Sequence, residues 1–582
     1  MERWLSGIEE PADLRRVPRE RLPEVARELR EHLVEVGSEI GGHFAGSLGT
    51  VELCVALHFV FDTPRDRVVW DVGHQAYGHK ALTGRREGLR AIKKAQGPSG
   101  FLRRAESPYD VFGAGHAGTS VSAALGMSEA LRRAGRSERV VAVIGDGAAT
   151  AGMAFEGLNH AGFLGTDLKV VFNDNGMSIA PNVGGLSRAA SPRGYFETLG
   201  LRMLGPVDGH DLGALLVGLE ALREACGPTV LHVRTRKGRG YAPAEADPFG
   251  WHATSPFAVE TGERQSGGPA GAPSWTACFA EALVRVADRD PRVVAITAAM
   301  PDGTGLDVFA RRHPGRVYDA GIAEQHAVTF AAGLAAEGLR PVCAIYSTFL
   351  QRAFDQIVHD VALQGFPVIF ALDRAGLVGP DGPTHHGVLD LAYLRAVPGL
   401  VIAAPRDENE LQHLLATAVD CGRPFALRFP RGAARGVALD PDPKPIEIGR
   451  AELLREGCDV TLVGLGKTVA TAESAAERLA EAGVEATVID ARFVKPLDAT
   501  TIAAAARRTA GVVTIEDHAA QGGFGSAVLE CLARHAPGTP ALVLGIPDEF
   551  MEHGEVAEQW RLAGIDAASV AERTRSWMGG SK

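Results

Sequence analysis

Short apolar runs rich in β-branched residues alternate with longer amphipathic segments through most of this chain. In the first part, the runs are Arg67 to Trp70, Val140 to Ile144, Lys169 to Phe172 and Thr229 to Val233. Strands that alternate with helical patterns are typical of βαβ units. The pattern therefore predicts an α/β fold with mostly parallel sheets.

The chain length and two stretches rich in Gly and Pro predict how this pattern is divided. A chain of 582 residues is too long for a single hydrophobic core. The segment Gly262 to Ser274, GERQSGGPAGAPS, has the composition of a linker, and Pro-rich Asp440 to Pro445 marks a second boundary. Further apolar runs follow each boundary: Val293 to Thr297, Val342 to Tyr346, Val368 to Leu372 and Leu400 to Ala403, then Val460 to Val463, Glu485 to Ile489 and Gly511 to Ile515. We predict three successive α/β domains at residues 1–265, 274–435 and 446–582.

Charge, cysteine content and hydropathy exclude several classes of protein. The net charge of -11 argues against a general nucleic-acid binder. The seven cysteines are scattered and contain no CxxC pair, so they are expected to be reduced residues rather than zinc or redox ligands. The first residues contain no apolar signal core, and no apolar run reaches membrane-spanning length. We expect a cytoplasmic protein that binds neither nucleic acid nor a membrane.

Two of the predicted strands end in residues that carry oxygen ligands. A Gly-Asp-Gly motif centred on Asp146 follows the second run, and an Asn-Asp-Asn motif that ends at Asn175 follows the third. A glycine-flanked aspartate is usually a turn, but two such motifs, each after its own strand, are a stronger signal. Glycine lets the backbone approach a diphosphate, while carboxylate and amide oxygens suit Mg²⁺, which shares its octahedron with phosphate and water. The pair predicts a Mg²⁺-diphosphate site.

Two other phosphate-binding motifs are rejected. Gly466-Lys467-Thr468 resembles the end of a P-loop, but Thr461 occupies the position of the first required glycine. Gly464 and Gly466 hint at a dinucleotide fingerprint, but Val469 occupies the third glycine position. A strand-to-helix turn explains this segment better.

The segment DAGIAEQH places Glu324 at the start of a predicted alanine-rich helix. A glutamate at a helix N-terminus is most often a dipole partner or a cap. Together with the Mg²⁺-diphosphate motif, however, it meets the requirements of thiamine diphosphate. That cofactor needs its diphosphate held through Mg²⁺ and a carboxylate that hydrogen-bonds its aminopyrimidine ring.

At this point the sequence resembles the 1-deoxy-D-xylulose-5-phosphate synthase family of transketolase-like thiamine diphosphate enzymes. The resemblance covers nearly the whole chain and rests on GGHFAGSLG (41–49), DVGHQAYGHK (71–80), GDGAATAGMAFE (145–156), NDNGMSIAPNVG (173–184), GPVDGHD (205–211), KGRGYAPAE (237–245), YSTFLQRAFDQ (346–356) and DRAGLVGPDGPTHHG (373–387). The DGPTH element is shared with transketolases, whereas DVGHQAY and the arginine of DRAG favour the synthase, and hence pyruvate as donor.

The resemblance implies a fold, cofactors and a reaction. The fold would be transketolase-like, the cofactors thiamine diphosphate and Mg²⁺, and the assembly a homodimer. The enzyme would be a carboligating transferase that decarboxylates pyruvate and joins the two-carbon fragment to D-glyceraldehyde 3-phosphate. The products would be 1-deoxy-D-xylulose 5-phosphate and CO₂.

The resemblance also implies roles for individual residues. The metal ligands would be Asp146, Asn175 and the backbone carbonyl of Met177. The positions that contact the cofactor would be His74, Gly115, His116, Ala117, Gly147, Ala148, Lys237 and Tyr241. Glu324 matches the activating carboxylate, and Phe349 matches the ring that stacks on the aminopyrimidine, a suitable use of a flat apolar side chain.

A further set of residues matches positions for the substrates. Tyr346, Arg352, Arg374 and Arg431 match the site of the acceptor phosphate, where the planar fork of arginine binds phosphate in a bidentate manner. His43, His252 and His385 are candidate proton carriers and hydrogen-bond donors, and Asp381 is a candidate to bind hydroxyl groups. For Arg428, which matches no role, an ordinary surface or interdomain ion pair is the prediction.

The sequence departs from the family pattern at a few positions. The segment between Gly184 and Gly194 is much shorter than is usual, and Ala149 and the GHAG segment at 115–118 differ from the common residues. Two alternatives stay open: a transketolase-type or 2-oxo acid dehydrogenase-type enzyme, and a catalytically altered paralogue. The sequence also leaves open whether the product serves isoprenoid, thiamine or specialised biosynthesis.

Overall fold

The computed structural model describes residues 3–265 and 272–580. The chain ends at residues 1–2 and 581–582 lie outside the described residues, as do residues 266–271 of the linker predicted at Gly262 to Ser274. The described residues form two compact units. The first contains residues 3–265 and Gly321–Ala323, and the second contains residues 272–320 and 324–580.

The first unit is built around a parallel sheet. Its strands are β1 (Gly42–His43), β2 (Arg67–Trp70), β3 (Val140–Gly145), β4 (Lys169–Asp174), β5 (Arg202–Asp208), β6 (Thr229–Arg234) and β7 (Ala253–Thr254). Its helices are α1 (Pro11–Leu14), α2 (Leu22–Ile40), α3 (Ala45–Gly49), α4 (Val51–Val60), α5 (Tyr77–Lys80), α6 (Ser120–Arg133), α7 (Gly152–Leu164), α8 (Arg193–Thr198), α9 (Leu212–Glu224) and α10 (Ala242–Ala246).

Five of these strands form one sheet in the order β2-β3-β4-β6-β5, with parallel neighbours throughout, and β1 pairs with β7 in a separate antiparallel ribbon. Alternate residues of β3 face opposite sides of the sheet. Val141 and Val143 pack in the same core as α2, α4 and α9, and Ala142 and Ile144 pack in the core formed with α6 and α7. Both faces are therefore covered, which explains why the central strands are almost uninterrupted apolar runs.

The second unit contains two sheets. Its strands are β8 (Val293–Thr297), β9 (Val317–Asp319), β10 (Arg340–Tyr346), β11 (Ile369–Ala375), β12 (Val401–Ala403), β13 (Phe425–Pro430), β14 (Glu452–Arg455), β15 (Val460–Gly464), β16 (Ala486–Asp490), β17 (Phe493–Lys495), β18 (Val512–Ala519) and β19 (Ala541–Ile546). Its helices are α11 (Trp275–Arg289), α12 (Leu306–Arg312), α13 (Glu324–Ala336), α14 (Ser347–Leu350), α15 (Phe354–Gln356), α16 (Asp390–Arg395), α17 (Glu408–Asp420), α18 (Thr468–Glu481), α19 (Ala499–Ala506), α20 (Phe524–His535), α21 (Val556–Ala563) and α22 (Ala567–Gly580).

Each sheet of the second unit is parallel except at one edge. The first has the order β17-β12-β13-β11-β10-β8-β9, in which β17 runs antiparallel to β12. The second has the order β14-β16-β15-β18-β19, in which β14 runs antiparallel to β16. β17 follows β16 in the chain, inside the third predicted domain, but it pairs with β12 of the second predicted domain. The unit accordingly includes residues of both predicted domains.

The predicted α/β class with mostly parallel sheets is confirmed, and every apolar run named above coincides with a strand. The sequence missed several strands, among them β13, β19 and the edge strand β5, which has Met203 as its single buried residue and no apolar run. The division into three domains stays a prediction. In the part of the chain that the structure describes, no helix combines the length and apolarity that crossing a bilayer requires.

Candidate active site

The carboxyl ends of β3 and β4 place Asp146 and Asn175 at one edge of the first unit's sheet. The two strands are parallel neighbours, with Gly145 opposite Asn173. The backbone amide of Asp146 donates to the carbonyl of Asn173 at 3.1 Å. Ligands of open parallel sheets bind at the carboxyl ends of the strands. The predicted metal ligands therefore lie at the binding edge of this sheet.

Asp146 is half-buried, and only one of its two carboxylate oxygens has hydrogen-bond donors among the described residues. Its Oδ2 accepts hydrogen bonds from the Gly176 amide at 2.8 Å and from Asn182 Nδ2 at 2.7 Å, whereas its Oδ1 is buried with no hydrogen-bond partner among the described residues. Burial and the negative charge of Asp174 raise the pKa of Asp146 to about 7. A buried carboxylate oxygen without a donor is a natural cation ligand, so these residues fit a divalent metal ion.

The loop after β4 supplies the other two candidate ligands. Asn175 Oδ1 accepts a hydrogen bond from the backbone amide of Met177 at 3.0 Å, which fixes the amide side chain at the start of the loop. An amide oxygen has two lone pairs, so Asn175 keeps one for a metal ion. The donor set is therefore made of oxygen atoms, as Mg²⁺ requires.

The backbone around Asp146 is closely packed. A side chain at Gly147 would meet Asn182 Oδ1 at 2.7 Å and Ser178 Cβ at 2.9 Å, so glycine is needed for lack of space. Lys237 Nζ donates to the carbonyl of Ser178. Burial lowers the pKa of Lys237 to about 8, although the nearby Asp146 carboxylate opposes this change.

Three histidines meet in the first unit because β1 pairs with β7. The pairing sets His43 opposite Ala253, next to His252. The ring centroids lie 6.2 Å apart for His43 and His74, 5.8 Å for His43 and His252, and 5.0 Å for His74 and His252.

Two of these histidines are held in the neutral form. Burial lowers the pKa of His74 to about 3 and lowers the pKa of His252 well below its ordinary value. The Nδ1 atoms of both rings are buried with no hydrogen-bond partner among the described residues. At neutral pH, His74 and His252 can therefore form hydrogen bonds with a ligand as uncharged rings.

Asp71 holds the loop that carries residues 115–117. Its buried carboxylate accepts hydrogen bonds from the amides of Gly118 at 2.7 Å and Ser120 at 3.0 Å. Gly115 has a φ of 146°, which a residue with a side chain rarely adopts. The sequence reasoning did not assign a role to Asp71. An aspartate directly after an apolar strand is the signal that could have identified it.

Two predicted cofactor-contacting residues are buried. The ring of Tyr241 packs edge-on against Phe44 and Trp251, with centroid distances of 5.7 and 5.4 Å, and its hydroxyl donates to the carbonyl of Val259 at 3.0 Å. Ala148 begins a short turn, Ala148–Thr150, that follows β3. Packing fixes the ring of Tyr241, and its contact with a cofactor stays a prediction.

In the second unit, Glu324 is the first residue of α13 and is 5% exposed. Burial raises the pKa of Glu324, and the guanidinium of Arg352, with a nitrogen 3.9 Å from Glu324 Oε2, opposes this rise. A carboxyl group with a raised pKa can share a proton with a heterocyclic nitrogen. The position is therefore suitable for the predicted activating carboxylate.

An arginine and three aromatic side chains stack in sequence near the end of β10. The rings of Tyr346 and Phe349 are 12° from parallel with centroids 5.6 Å apart, and His385 lies edge-on to Phe349 at 5.4 Å. The guanidinium carbon of Arg374 lies 3.8 Å from the Tyr346 ring centroid, a cation–π distance. Four of the predicted site residues are therefore in direct contact in one stack.

The other predicted phosphate ligand pairs with a predicted hydroxyl ligand. Arg431 donates to Asp381 Oδ2 at 2.9 Å and to the carbonyl of Val378 at 3.1 Å, while Arg374 donates to the carbonyl of Gly303 at 2.9 Å. A guanidinium has five N–H groups, so both arginines keep donors for a phosphate.

Arg428 forms an ion pair, as predicted, but the pair is buried rather than an ordinary one at the surface. Its Nε donates to Asp390 Oδ2 at 2.9 Å, and both residues are buried. A further acidic group, Glu410, Glu452 and Asp490, has oxygen atoms within 4.8 Å of one another. Arg406 and Arg492 donate to these oxygens, so the group is an ion-pair network and not a metal site.

Comparisons with known proteins relate nearly the whole chain to one family. A family model described as 1-deoxy-D-xylulose-5-phosphate synthase matches residues 5–192 and 187–235, and models described as the pyrimidine binding domain and the C-terminal domain of transketolase match residues 271–436 and 449–570. The two segments of the first match meet at residues 187–192, inside the short segment between Gly184 and Gly194.

Curated relatives are similar over their full length. The chain is 51% identical to 1-deoxy-D-xylulose-5-phosphate synthase 1 of Geobacter sulfurreducens and 51% identical to the synthase of Thermomicrobium roseum, in each case over 99% of this chain and 98% of the relative. It is 52% identical to the synthase of Anaeromyxobacter sp. (strain K), over 100% of this chain and 99% of the relative.

Proposed function

Because the chain belongs to the 1-deoxy-D-xylulose-5-phosphate synthase family, we propose that it decarboxylates pyruvate and transfers the two-carbon fragment to D-glyceraldehyde 3-phosphate. The products are 1-deoxy-D-xylulose 5-phosphate and CO₂. The enzyme is a transketolase-type transferase that uses thiamine diphosphate. The observation that carries the proposal is the 51% identity to a synthase over 99% of this chain.

Mg²⁺ is the proposed metal, bound by Asp146, Asn175 and the backbone carbonyl of Met177. The buried Asp146 Oδ1, which has no hydrogen-bond partner among the described residues, supports this assignment. Gly147 has no side chain, so its backbone can lie close to a diphosphate, and Lys237, which donates to the carbonyl of Ser178, adds a positive charge near this loop. His74 and the loop at 115–117 complete the proposed contacts with the cofactor.

When bound, thiamine diphosphate supplies the carbon nucleophile of the reaction. Glu324 would hold a hydrogen bond to the aminopyrimidine ring, and its raised pKa suits proton exchange at a ring nitrogen. Phe349, which stacks on Tyr346, would present its ring to the aminopyrimidine.

The substrates are assigned to the remaining polar groups. Arg374 and Arg431 would bind the phosphate of D-glyceraldehyde 3-phosphate, with Arg352 and Tyr346 beside them. His252 would bind an oxygen of pyruvate as a neutral ring, since burial lowers its pKa.

The remaining candidates would act on the acceptor and the donor carbonyl. His43, a member of the histidine group, and His385, edge-on to Phe349, would move or hold protons at these oxygens. Asp381 would bind acceptor hydroxyl groups.

Product analysis tests the proposal. The protein is incubated with labelled pyruvate, D-glyceraldehyde 3-phosphate, thiamine diphosphate and Mg²⁺, beside the Glu324→Ala variant. We expect 1-deoxy-D-xylulose 5-phosphate and CO₂ from the wild type, and loss of both in the variant. A wild type that binds the cofactor but forms neither product would refute the proposed reaction, and turnover of xylulose 5-phosphate would identify a transketolase instead.

We also propose that the protein is a cytoplasmic homodimer. Helix α7 supports the dimer, because it exposes 46% of Phe155 and 86% of Phe163. Exposed apolar groups of this size on one helix are typical of interaction surfaces.

A further inference from the structure

Three segments that carry proposed active-site residues meet at one buried ion pair in the second unit. The first segment is 346–349, which contains Tyr346 and Phe349. The second is 381–391, which contains Asp381 and His385. The third is 428–431, which runs from Arg428 on β13 to Arg431 just beyond that strand.

Arg428 connects several groups at once. Its Nε donates to Asp390 Oδ2 at 2.9 Å, and its Nη2 donates to the carbonyls of Gly387 at 3.3 Å and Asp517 at 3.2 Å. Arg428 and Asp390 are 6% and 1% exposed. An arginine can reach three acceptors in different directions because its guanidinium is a rigid planar fork, whereas a lysine amine is a point donor.

Asp390 links Arg428 to the first segment through a hydrogen bond from Ser347. Ser347 Oγ donates to the same Asp390 Oδ2 at 3.0 Å, and the backbone amide of Leu391 donates to Oδ1 at 2.9 Å. Ser347 directly follows Tyr346 and is the first residue of α14. The carboxylate of Asp390 therefore fixes the start of the helix that carries Phe349.

Gly387, in the second segment, accepts a hydrogen bond from Arg428 through its backbone carbonyl. Gly387 and Gly376 exchange two backbone hydrogen bonds of 2.8 Å, and the Gly387 carbonyl also accepts from Arg428. A Cβ at Gly387 would lie 2.5 Å from Ser347 Oγ and 2.5 Å from the carbonyl oxygen of Arg374. The two segments therefore touch at a point where no side chain fits, two residues after His385.

A second, direct hydrogen bond joins the same two segments. Thr348 Oγ1 donates to the carbonyl of Thr384 at 3.1 Å. Thr348 precedes Phe349 and Thr384 precedes His385, whose rings meet edge-on at 5.4 Å and 78°. The position of one ring relative to the other thus depends on this hydrogen bond together with the contacts of Asp390 and Arg428.

We propose that Arg428 and Asp390 are positioning residues: their ion pair holds Ser347 and Gly387, and through them sets the position of Phe349 relative to His385. We call Arg428, Asp390, Ser347 and Gly387 the brace. The claim that the brace serves this reaction rests on the proposed function. The claim that the brace sets the positions of Phe349 and His385 does not. Arg428 and Asp390 act through their neighbours and are not catalytic residues.

The test compares brace variants with matched controls outside the brace. The brace variants are Ser347→Ala, Asp390→Asn and Arg428→Lys. The controls are Asp498→Asn, which alters a buried aspartate that accepts from the amides of Thr501 and Ala451 at 2.9 and 3.0 Å, and Arg492→Lys, which alters the Glu410 ion pair. For each protein, the thermal unfolding temperature, the Kd of thiamine diphosphate from tryptophan fluorescence, and kcat and KM for both substrates are measured.

A displacement of about 1 Å in a reacting assembly can lower the rate about 100-fold. We therefore expect kcat to fall about 100-fold in Asp390→Asn and Arg428→Lys and about tenfold in Ser347→Ala. The Kd of thiamine diphosphate should rise in all three, while KM for the substrates changes less than kcat. The controls should lower the unfolding temperature and leave kcat and Kd near the wild-type values.

The outcomes separate positioning from simple stabilisation. Brace variants that unfold at lower temperature but keep the wild-type kcat and Kd would overturn the proposal. Ser347→Ala removes a single hydroxyl and leaves both buried charges in place, so this variant should fold. It can therefore still test the proposal if Asp390→Asn or Arg428→Lys fails to fold. If the wild type forms no 1-deoxy-D-xylulose 5-phosphate, the proposed function fails, and the cofactor Kd still decides: a rise confined to the brace variants supports the brace, and unchanged values refute it.

Discussion

Replacing Arg352 by glutamine removes a positive charge beside the buried carboxylate of Glu324, and the pKa of Glu324 should rise as a result. In the wild type, burial raises this pKa and Arg352 opposes the rise. Without the guanidinium, the ionised carboxylate loses its favourable partner, so the protonated form persists to higher pH. Any process that depends on the charge of Glu324 should then shift to higher pH.

The separation of the two groups gives the size of the shift. One nitrogen of Arg352 lies 3.9 Å from Glu324 Oε2, and the two side chains are 17% and 6% exposed. At this distance, unit charges interact by about 4 kcal/mol at an effective dielectric constant of about 20 and by about 1 kcal/mol in water. One pKa unit corresponds to about 1.4 kcal/mol. Because the pair is mostly but not fully buried, loss of the guanidinium should disfavour the ionised carboxylate by an energy between these two limits, which raises the pKa of Glu324.

The assay is the pH dependence of thiamine diphosphate binding, measured without substrates because Arg352 is also a proposed phosphate ligand. Glu324→Gln identifies the ionisation that belongs to this carboxyl, which should disappear. Arg352→Lys keeps the charge and should shift the pKa less than Arg352→Gln. Arg395→Gln is the control, since Arg395 pairs with the exposed Glu530 at 2.9 Å. An unchanged or lower pKa in Arg352→Gln would refute the reasoning.

Three further predictions follow from other parts of the structure. Asp71→Asn weakens two hydrogen bonds to a buried carboxylate, and the binding free energy of thiamine diphosphate should fall by about 2 kcal/mol, about thirtyfold in affinity measured by calorimetry. Asp66→Asn is the control, because it alters another buried aspartate and should lower the stability of the protein without changing this affinity. Burial lowers the pKa of His386 to about 4 from about 6.5, so the neutral ring contributes to the free energy of unfolding above pH 6.5. This contribution, about 3 kcal/mol in total, is lost as pH falls from 6.5 through 4. Urea unfolding at pH 7 and 4.5 should therefore show a smaller decrease in the free energy of unfolding for His386→Gln than for the wild type. Phe163→Glu places a charge on the exposed face of α7 and should shift sedimentation towards the monomer, whereas Phe550→Glu, at an equally exposed phenylalanine of the second unit, should not.

The features that the sequence predicts well are those that a short stretch of chain determines. Runs such as Val140 to Ile144 became strands because buried parallel strands need apolar residues on both faces. The location of Asp146 and Asn175 at one edge followed from the same rule, since each comes after its own strand and parallel strands end together. Glu324 likewise begins a helix where the alanine-rich pattern begins.

The features that the sequence could not predict depend on residues that are distant in the chain. The pairing of Arg428 with Asp390 joins positions 38 residues apart, and the contact of Arg352 with Glu324 depends on two separate helical segments. Burial of Asp146 Oδ1 without a donor depends on the loop that reaches Asn182. No local pattern specifies such contacts, because they arise when elements pack.

Arg428 and Arg431 show how a local pattern could still reveal such contacts. The two arginines are three residues apart and carry the same charge, yet their side chains are 7% and 41% exposed. The strand Phe425–Pro430 is buried at every residue, so both of its faces are covered. A charged residue inside such a strand has no route to solvent and requires a buried partner of opposite charge. Arg428 within FALRFP therefore already predicts a buried carboxylate, whereas Arg431, just beyond the strand, is partly exposed and can meet a substrate.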